Sequence, residues 1–218
     1  MTRSLTPLRT ILPMPFALRT LFLFTVLASG AAAAEKSILV FGDSLSAAYG
    51  IGQARGWVAL LGERLKQEHA DYIVVNASIS GETTSGARAR VKQVLERNRP
   101  SVVIVELGGN DGLRGLPVAQ MKKNLAAIIE QAQKSGARVV LIGMKLPPNY
   151  GPEYTQAFES AYAELAKRYN TTLVPRLMEE FAAKPELFQP DQIHPTEQAQ
   201  PLIVERVWKA LRPLLKSP

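Results

Sequence analysis

The chain has 218 residues, 26 Lys and Arg against 19 Asp and Glu, a formal charge of +7, two histidines and no cysteine. This is ordinary globular usage at a size suited to one domain with a substantial core, which excludes a disordered or collagen-like chain. Without cysteine there is no disulfide scaffold, zinc ribbon, iron–sulfur cluster or thiol nucleophile, and two imidazoles are too few for a site that needs several histidine ligands.

Part of the positive charge lies at the start. Residues 1–34 carry Arg3, Arg9 and Arg19 and no acidic residue; the apolar run Leu21 to Leu27 follows, then Ala28-Ser29-Gly30 and four alanines. A basic start, a short apolar stretch and a small-residue exit make a secretory signal peptide, and the run is too short for a permanent membrane span. Cleavage after Ala34 is expected, leaving residues 35–218 as a single domain of charge +4 in the periplasm or the medium; the alternative is an uncleaved anchor. No Arg-Arg pair points to a twin-arginine route, and no cysteine at the junction can carry a lipid.

Ser37 to Phe41 is the first buried-strand pattern and ends in Gly42. Trp57, Leu60, Leu61 and Leu65 share a helical face, and Tyr72 to Val75 is the second strand. Ala87, Val91, Val94 and Leu95 make the next helix, followed by the strand Val102 to Val105. Met121, Leu125, Ile128, Ile129 and Ala132 form the clearest stripe, with Pro117 suited to its start and Gly136 to its end. The strand Val139 to Ile142, a helix through Phe158, Tyr162, Leu165 and Tyr169, and the strand Thr172 to Val174 come next. A last helix runs from about Glu197 through Leu202, Ile203, Val207, Ala210 and Leu211 to Pro213, with Pro201 expected to cost one hydrogen bond or a slight bend. The strands are rich in β-branched residues and do not alternate, the mark of strands covered on both faces. Five alternations of strand and helix predict an α/β fold, a doubly wound parallel sheet of about five strands with helices on both faces.

In such sheets ligands bind beyond the carboxyl ends of the strands. There the sequence carries Gly42-Asp43-Ser44-Leu45-Ser46, then Asn76 to Thr84 including Ser80-Gly81-Glu82-Thr83, then Glu106 to Gly112 including Gly108-Gly109-Asn110-Asp111, and finally Asp191-Gln192-Ile193-His194-Pro195. Acyl transfer needs a nucleophile, a base, a group that orients the base, and donors for the developing oxyanion. Ser44 lies on a tight turn after a strand, and a helix starting just after it would present free N–H groups. His194 is the loop histidine, and Asp191 stands three residues before it. Gly81 offers an unobstructed backbone N–H and Asn110 a side-chain amide.

These four segments, in this order, resemble the four blocks of the SGNH (GDSL) hydrolases, and the similarity covers essentially all of residues 35–218. Asn76 to Thr84, Glu106 to Gly115 and Leu146 to Gly151 are similar to the secreted bacterial thioesterase, lysophospholipase and arylesterase group within that family. The resemblance implies a flavodoxin-like three-layer α/β/α fold and hydrolysis of esters or thioesters with no metal and no cofactor. It implies Ser44 as nucleophile, His194 as base, Asp191 as its orienter, and an oxyanion hole of the Ser44 and Gly81 N–H groups with the Asn110 side chain. Alternatives are a deacetylase of acetylated sugars or cell-wall glycans and a non-catalytic periplasmic binding module.

Other features read as structural. Asp43 and Asp111 are expected to brace loops as acceptors, and with Glu106 their spacing matches no metal-ligand loop. Gly108, Gly109 and Gly112 lack the remainder of a phosphate-binding motif. The basic cluster Arg88, Arg90, Lys92, Arg97 and Arg99 reads as a solvated helix face without interleaved aromatics, so no nucleic-acid partner is expected. His69 closes a helix end. Leu113, Leu116, Leu146, Pro147 and Tyr150 are candidates for the acyl-chain pocket. Expected partners are small acyl ester, thioester or lysophospholipid substrates, with at most transient contact with a membrane surface, and the expected state is a monomer.

Overall fold

A computed structural model describes residues 1–2 and 36–215. Apart from Met1 and Thr2, the leader expected over residues 1–34 lies outside the described residues. Among those described, no helix is long and apolar enough to cross a membrane.

The elements are β1 (Lys36–Gly42), α1 (Trp57–Glu68), β2 (Tyr72–Asn76), α2 (Thr84–Asn98), β3 (Val102–Glu106), α3 (Gly109–Leu113), α4 (Val118–Lys134), β4 (Arg138–Ile142), α5 (Pro152–Tyr169), β5 (Thr172–Val174) and α6 (Gln200–Leu211). The five strands are parallel in the order β2-β1-β3-β4-β5. The fold is thus the expected α/β sandwich, with α1 beside α6 on one face and α2, α4 and α5 side by side on the other. Each helix turns its predicted stripe inward: Trp57, Leu61, Leu65, Ala87, Val91, Leu125, Ile128, Ile129, Phe158, Ile203 and Val207 are fully buried, and Leu60, Val94, Tyr169, Leu202 and Ala210 are partly buried against the core. The central β3 is buried throughout, so its one polar residue, Glu106 at the carboxyl end, must find its partners inside.

Four local expectations are revised. β2 lies at the sheet edge, pairs only with β1, and leaves Ile73 exposed, so its apolar run reflects one covered face rather than two. No α-helix starts just after Ser44. The chain instead makes irregular turns over residues 44–50, with Ala47 N–H bonded to the Asp43 carbonyl and Ala48 in the left-handed region (φ 58°). Helical propagation fails there because a left-handed residue and the following Tyr49-Gly50-Ile51-Gly52 break the run. Pro201 costs no bond, since α6 begins at Gln200 and the missing N–H falls in the first turn, where it would have no helical acceptor. Arg90 is not a solvated side chain: it forms a two-pronged ion pair with Glu82 and lies 4.2 Å from the ring centre of Phe41.

Candidate active site

The sheet register brings three loops together. Val40 lies opposite Asn76, and Gly42 opposite Glu106, so the chains leaving β2, β1 and β3 emerge side by side at the carboxyl edge. Hydrogen bonds then lace them. Ile79 N–H donates to the Gly42 carbonyl at 3.0 Å, Asn76 Nδ2 to the Ser46 carbonyl at 2.8 Å, and Asn110 Nδ2 to Asp43 Oδ2 at 3.0 Å. Ser44, Gly81 and Asn110 stand on these three loops. Among the described residues, no acceptor meets the backbone N–H of Ser44 or of Gly81. Gly81 has φ +78°, a conformation that β-carbon-bearing residues adopt only with strain.

Beneath the Ser44 turn lies a buried acid pair. Glu106 Oε2 accepts from Ser46 Oγ at 2.6 Å and from Asp43 N–H at 3.3 Å, while Asp43 Oδ1 accepts from Leu45 N–H at 3.1 Å. Burial, and then the neighbouring Asp43 carboxylate, push Glu106 well above the usual carboxylate range. Burial also raises Asp43, to about 6, against the opposing pull of the Leu45 N–H and the Asn110 amide. Asp43 braces the loop by accepting from the Leu45 N–H and the Asn110 amide, and Asp111 is buried with both oxygens engaged by Thr84.

The fourth loop, between β5 and α6, supplies the imidazole. Asp191 Oδ1 accepts from the Ile193 and His194 N–H groups at 2.9 and 3.0 Å, a turn made possible by Gln192 at φ 56°. Asp191 Oδ2 lies 2.7 Å from His194 Nδ1, and His194 Nε2 lies 2.9 Å from Ser44 Oγ. With Nδ1–H donating to the carboxylate, Nε2 is left as an acceptor for the serine hydroxyl, the only tautomer that satisfies both neighbours with a neutral ring. Partial burial works against the Asp191 charge, yet the His194 backbone N–H, its ring and the Ile193 N–H together hold this carboxyl below its ordinary value. The loop is closed by Gln189 N–H to the His194 carbonyl (2.7 Å) and by Gln189 Nε2 to the Tyr49 carbonyl (2.8 Å). The Tyr49 ring covers His194 at a centroid distance of 4.5 Å.

Ser44, Asn110 and His194 open onto a cavity of about 530 Å³. Of the pocket candidates, Leu113, Leu146 and Pro147 line it, and Leu116 and Tyr150 do not. Leu116 is exposed, and Tyr150 is turned to donate its hydroxyl to the Leu113 carbonyl at 2.8 Å. The opposite wall comes from Leu177, Met178, Ala182, Phe188 and Ile193, with Lys145 and Arg176 at its polar margin. Sequence reasoning missed this wall, as it missed Tyr49 over the imidazole. The residues fall in an irregular segment with neither helical nor strand period, and their only signal was an apolar content too high for a plain surface loop.

Residues 40–201 match the GDSL-like Lipase/Acylhydrolase family. The chain is 49% identical over 183 residues to Esterase TesA of Pseudomonas aeruginosa, covering 84% of this chain and 91% of that protein. It is 42% identical over 194 residues to Thioesterase 1/protease 1/lysophospholipase L1 of Escherichia coli K12, covering 89% of this chain and 92% of that protein. A crystal structure of TesA superposes with a TM-score of 0.81 at 49% identity, covering 83% of this chain and all of that one. The sequence blocks, the parallel sheet and the matches over most of the chain lead to one assignment: this protein belongs to the GDSL-like lipase/acylhydrolase family and is an ester-hydrolysing enzyme.

Proposed function

We propose that the enzyme cleaves carboxylic ester and thioester bonds of acyl substrates by two-step acyl transfer through Ser44, His194 and Asp191. The observation that carries this reading is the unbroken chain from Ser44 Oγ to His194 Nε2 (2.9 Å) and from His194 Nδ1 to Asp191 Oδ2 (2.7 Å), set at the mouth of a largely apolar cavity. His194 takes the Ser44 proton as the oxygen attacks the substrate carbonyl, and Asp191 stabilises the imidazolium that forms. The Ser44 and Gly81 N–H groups and the Asn110 amide receive the oxyanion. His194 then returns the proton to the leaving alkoxide or thiolate, and water releases the acid by the same route, regenerating Ser44.

The apolar wall of Leu113, Leu146, Leu177 and Met178 supports an acyl chain as the group bound. The thioesterase and lysophospholipase in the name of the Escherichia coli relative support thioester and lysophospholipid substrates. The basic leader and its apolar run support export through a signal peptide cleaved near Ala34, leaving residues 35–218 as the working domain. Glycan deacetylation lacks a specific observation in its favour, since a sugar would face this apolar wall. Kinetics on matched thioester, lysophospholipid and aryl ester substrates, with mass spectrometry after a serine-reactive phosphonate, test the proposal. One adduct at Ser44, absent in Ser44→Ala, is expected; an adduct elsewhere with activity retained in Ser44→Ala would refute it.

A further inference from the structure

Gly81 and Asn110 stand on loops that leave β2 and β3, and these strands are not neighbours, because β1 lies between them. Sheet hydrogen bonding therefore does not set the spacing of the two groups directly. The contacts that span the gap come from α3 and the residue after it. Asp111, next to Asn110, accepts at Oδ2 from Thr84 N–H (2.8 Å) and at Oδ1 from Thr84 Oγ (2.6 Å). Arg114, one turn on, donates from Nη2 to the Gly81 carbonyl at 3.0 Å. The Gly81 loop is thus held at its glycine and again at the start of α2, in both cases by the segment that carries Asn110.

The inner contact is built into the core. Asp111 and Thr84 are 4% and 0% exposed. Asn124 of α4, itself 2% exposed, donates to Thr84 Oγ at 3.1 Å and accepts from Gln120 at 3.0 Å. A fully partnered buried network of this kind has few alternative arrangements, which makes it a rigid spacer. Helix capping explains only half of it: Asp111 satisfies the free N–H of Thr84 at the first position of α2, but capping requires neither the second bond to the hydroxyl nor the Arg114 contact.

We infer that Asp111 and Arg114 are positioning residues that set the distance between the Gly81 N–H and the Asn110 amide, and so tune the oxyanion site without touching substrate. The inference rests on the proposed roles of Gly81 and Asn110. Oxyanion donors act only within a narrow range near 3 Å, so a loop displaced by a fraction of that length loses transition-state stabilisation while ground-state binding in the apolar cavity is unaffected.

The test is steady-state kinetics on an aryl ester for Asp111→Asn and Arg114→Ala, each in the wild-type and Asn110→Ala backgrounds, with thermal melts. Asp111→Asn is expected to lower kcat about tenfold or more and Arg114→Ala about threefold, with KM within about twofold. In the Asn110→Ala background each effect should shrink below about twofold, because the group being positioned is gone. Thr84→Ser, which keeps the hydroxyl, should retain several-fold more turnover than Thr84→Val. Equal losses in both backgrounds, or a lower melting temperature with kcat unchanged, would overturn the inference and leave a structural brace. Arg114 is exposed, so its variant decides the matter even where Asp111→Asn fails to fold. Wild-type turnover in Asn110→Ala is a separate result: it removes the oxyanion reading itself, and this inference with it.

Discussion

Gly108 is the tightest point in the path from β3 to Asn110, and Gly108→Ala tests the packing that aims the loop. Its φ is +111°, where a residue with a β-carbon carries strain of about 1–3 kcal/mol. A β-carbon there would lie 2.3 Å from Tyr162 Oη and 3.1 Å from Met121 Sδ. Tyr162 cannot retreat: it is 1% exposed, its hydroxyl donates to the Leu107 carbonyl at 3.0 Å, and its ring packs edge-on against Phe158 at 5.4 Å. Overpacking adds about 1–3 kcal/mol, and displacing the Tyr162 hydroxyl from its acceptor adds about 1 kcal/mol. The sum, about 3–7 kcal/mol, is a large share of the stability of an ordinary domain. Urea unfolding followed by the fluorescence of the buried Trp57 and Trp208 measures it. The decisive comparison is with Gly108→Ala/Tyr162→Phe. Removing the hydroxyl leaves the β-carbon contacts at 3.1 and 3.3 Å, so the double variant should be more stable than Gly108→Ala by about 1 kcal/mol or more, although Tyr162→Phe alone destabilises. A loss below about 1 kcal/mol in Gly108→Ala, or no recovery in the double variant, would refute the crowding argument.

Asn110→Ala should lower turnover by about a hundredfold or more with the fold intact, as expected for one oxyanion donor, and near-wild-type kcat would remove it from that role. Asp43 has a folded-state pKa near 6 against an ordinary 3.8, so the folded protein takes up a proton between these values that the unfolded chain does not. Its contribution to stability is therefore greatest below about pH 4 and falls as pH rises to about 6, by up to about 3 kcal/mol. Denaturation of the enzyme and of Asp43→Asn from pH 4 to 7 should show a steeper decline for the enzyme, and parallel curves would contradict the raised value. Met178→Trp, which fills part of the distal wall, should lower kcat/KM for long acyl esters at least about tenfold relative to short ones, and an unchanged chain-length profile would place the acyl chain elsewhere.

The strands and helices were legible because burial imposes a period that local sequence must obey. The stripe Met121, Leu125, Ile128, Ile129, Ala132 can be buried together only as a helix, and it is. The Asp191–His194 pairing was legible for the same local reason, since three residues of one turn suffice to close it. Gly42-Asp43-Ser44 and Gly108-Gly109-Asn110 could be read as strand-end loops, although the short helix α3 was hidden among glycines.

What tertiary structure alone decided are relations between distant segments. Ser44 and His194 are 150 residues apart, and no periodicity carries the 2.9 Å between their atoms. The same holds for Glu106 beneath the Ser44 turn, for Arg90 against Phe41, for the Asp111–Thr84 contact and for the cavity wall of Leu177, Met178 and Phe188. A sequence pattern records which side of an element faces water, because that choice is repeated every few residues. The distances of a site depend on strand order and register, which follow from the packing of the whole chain at once.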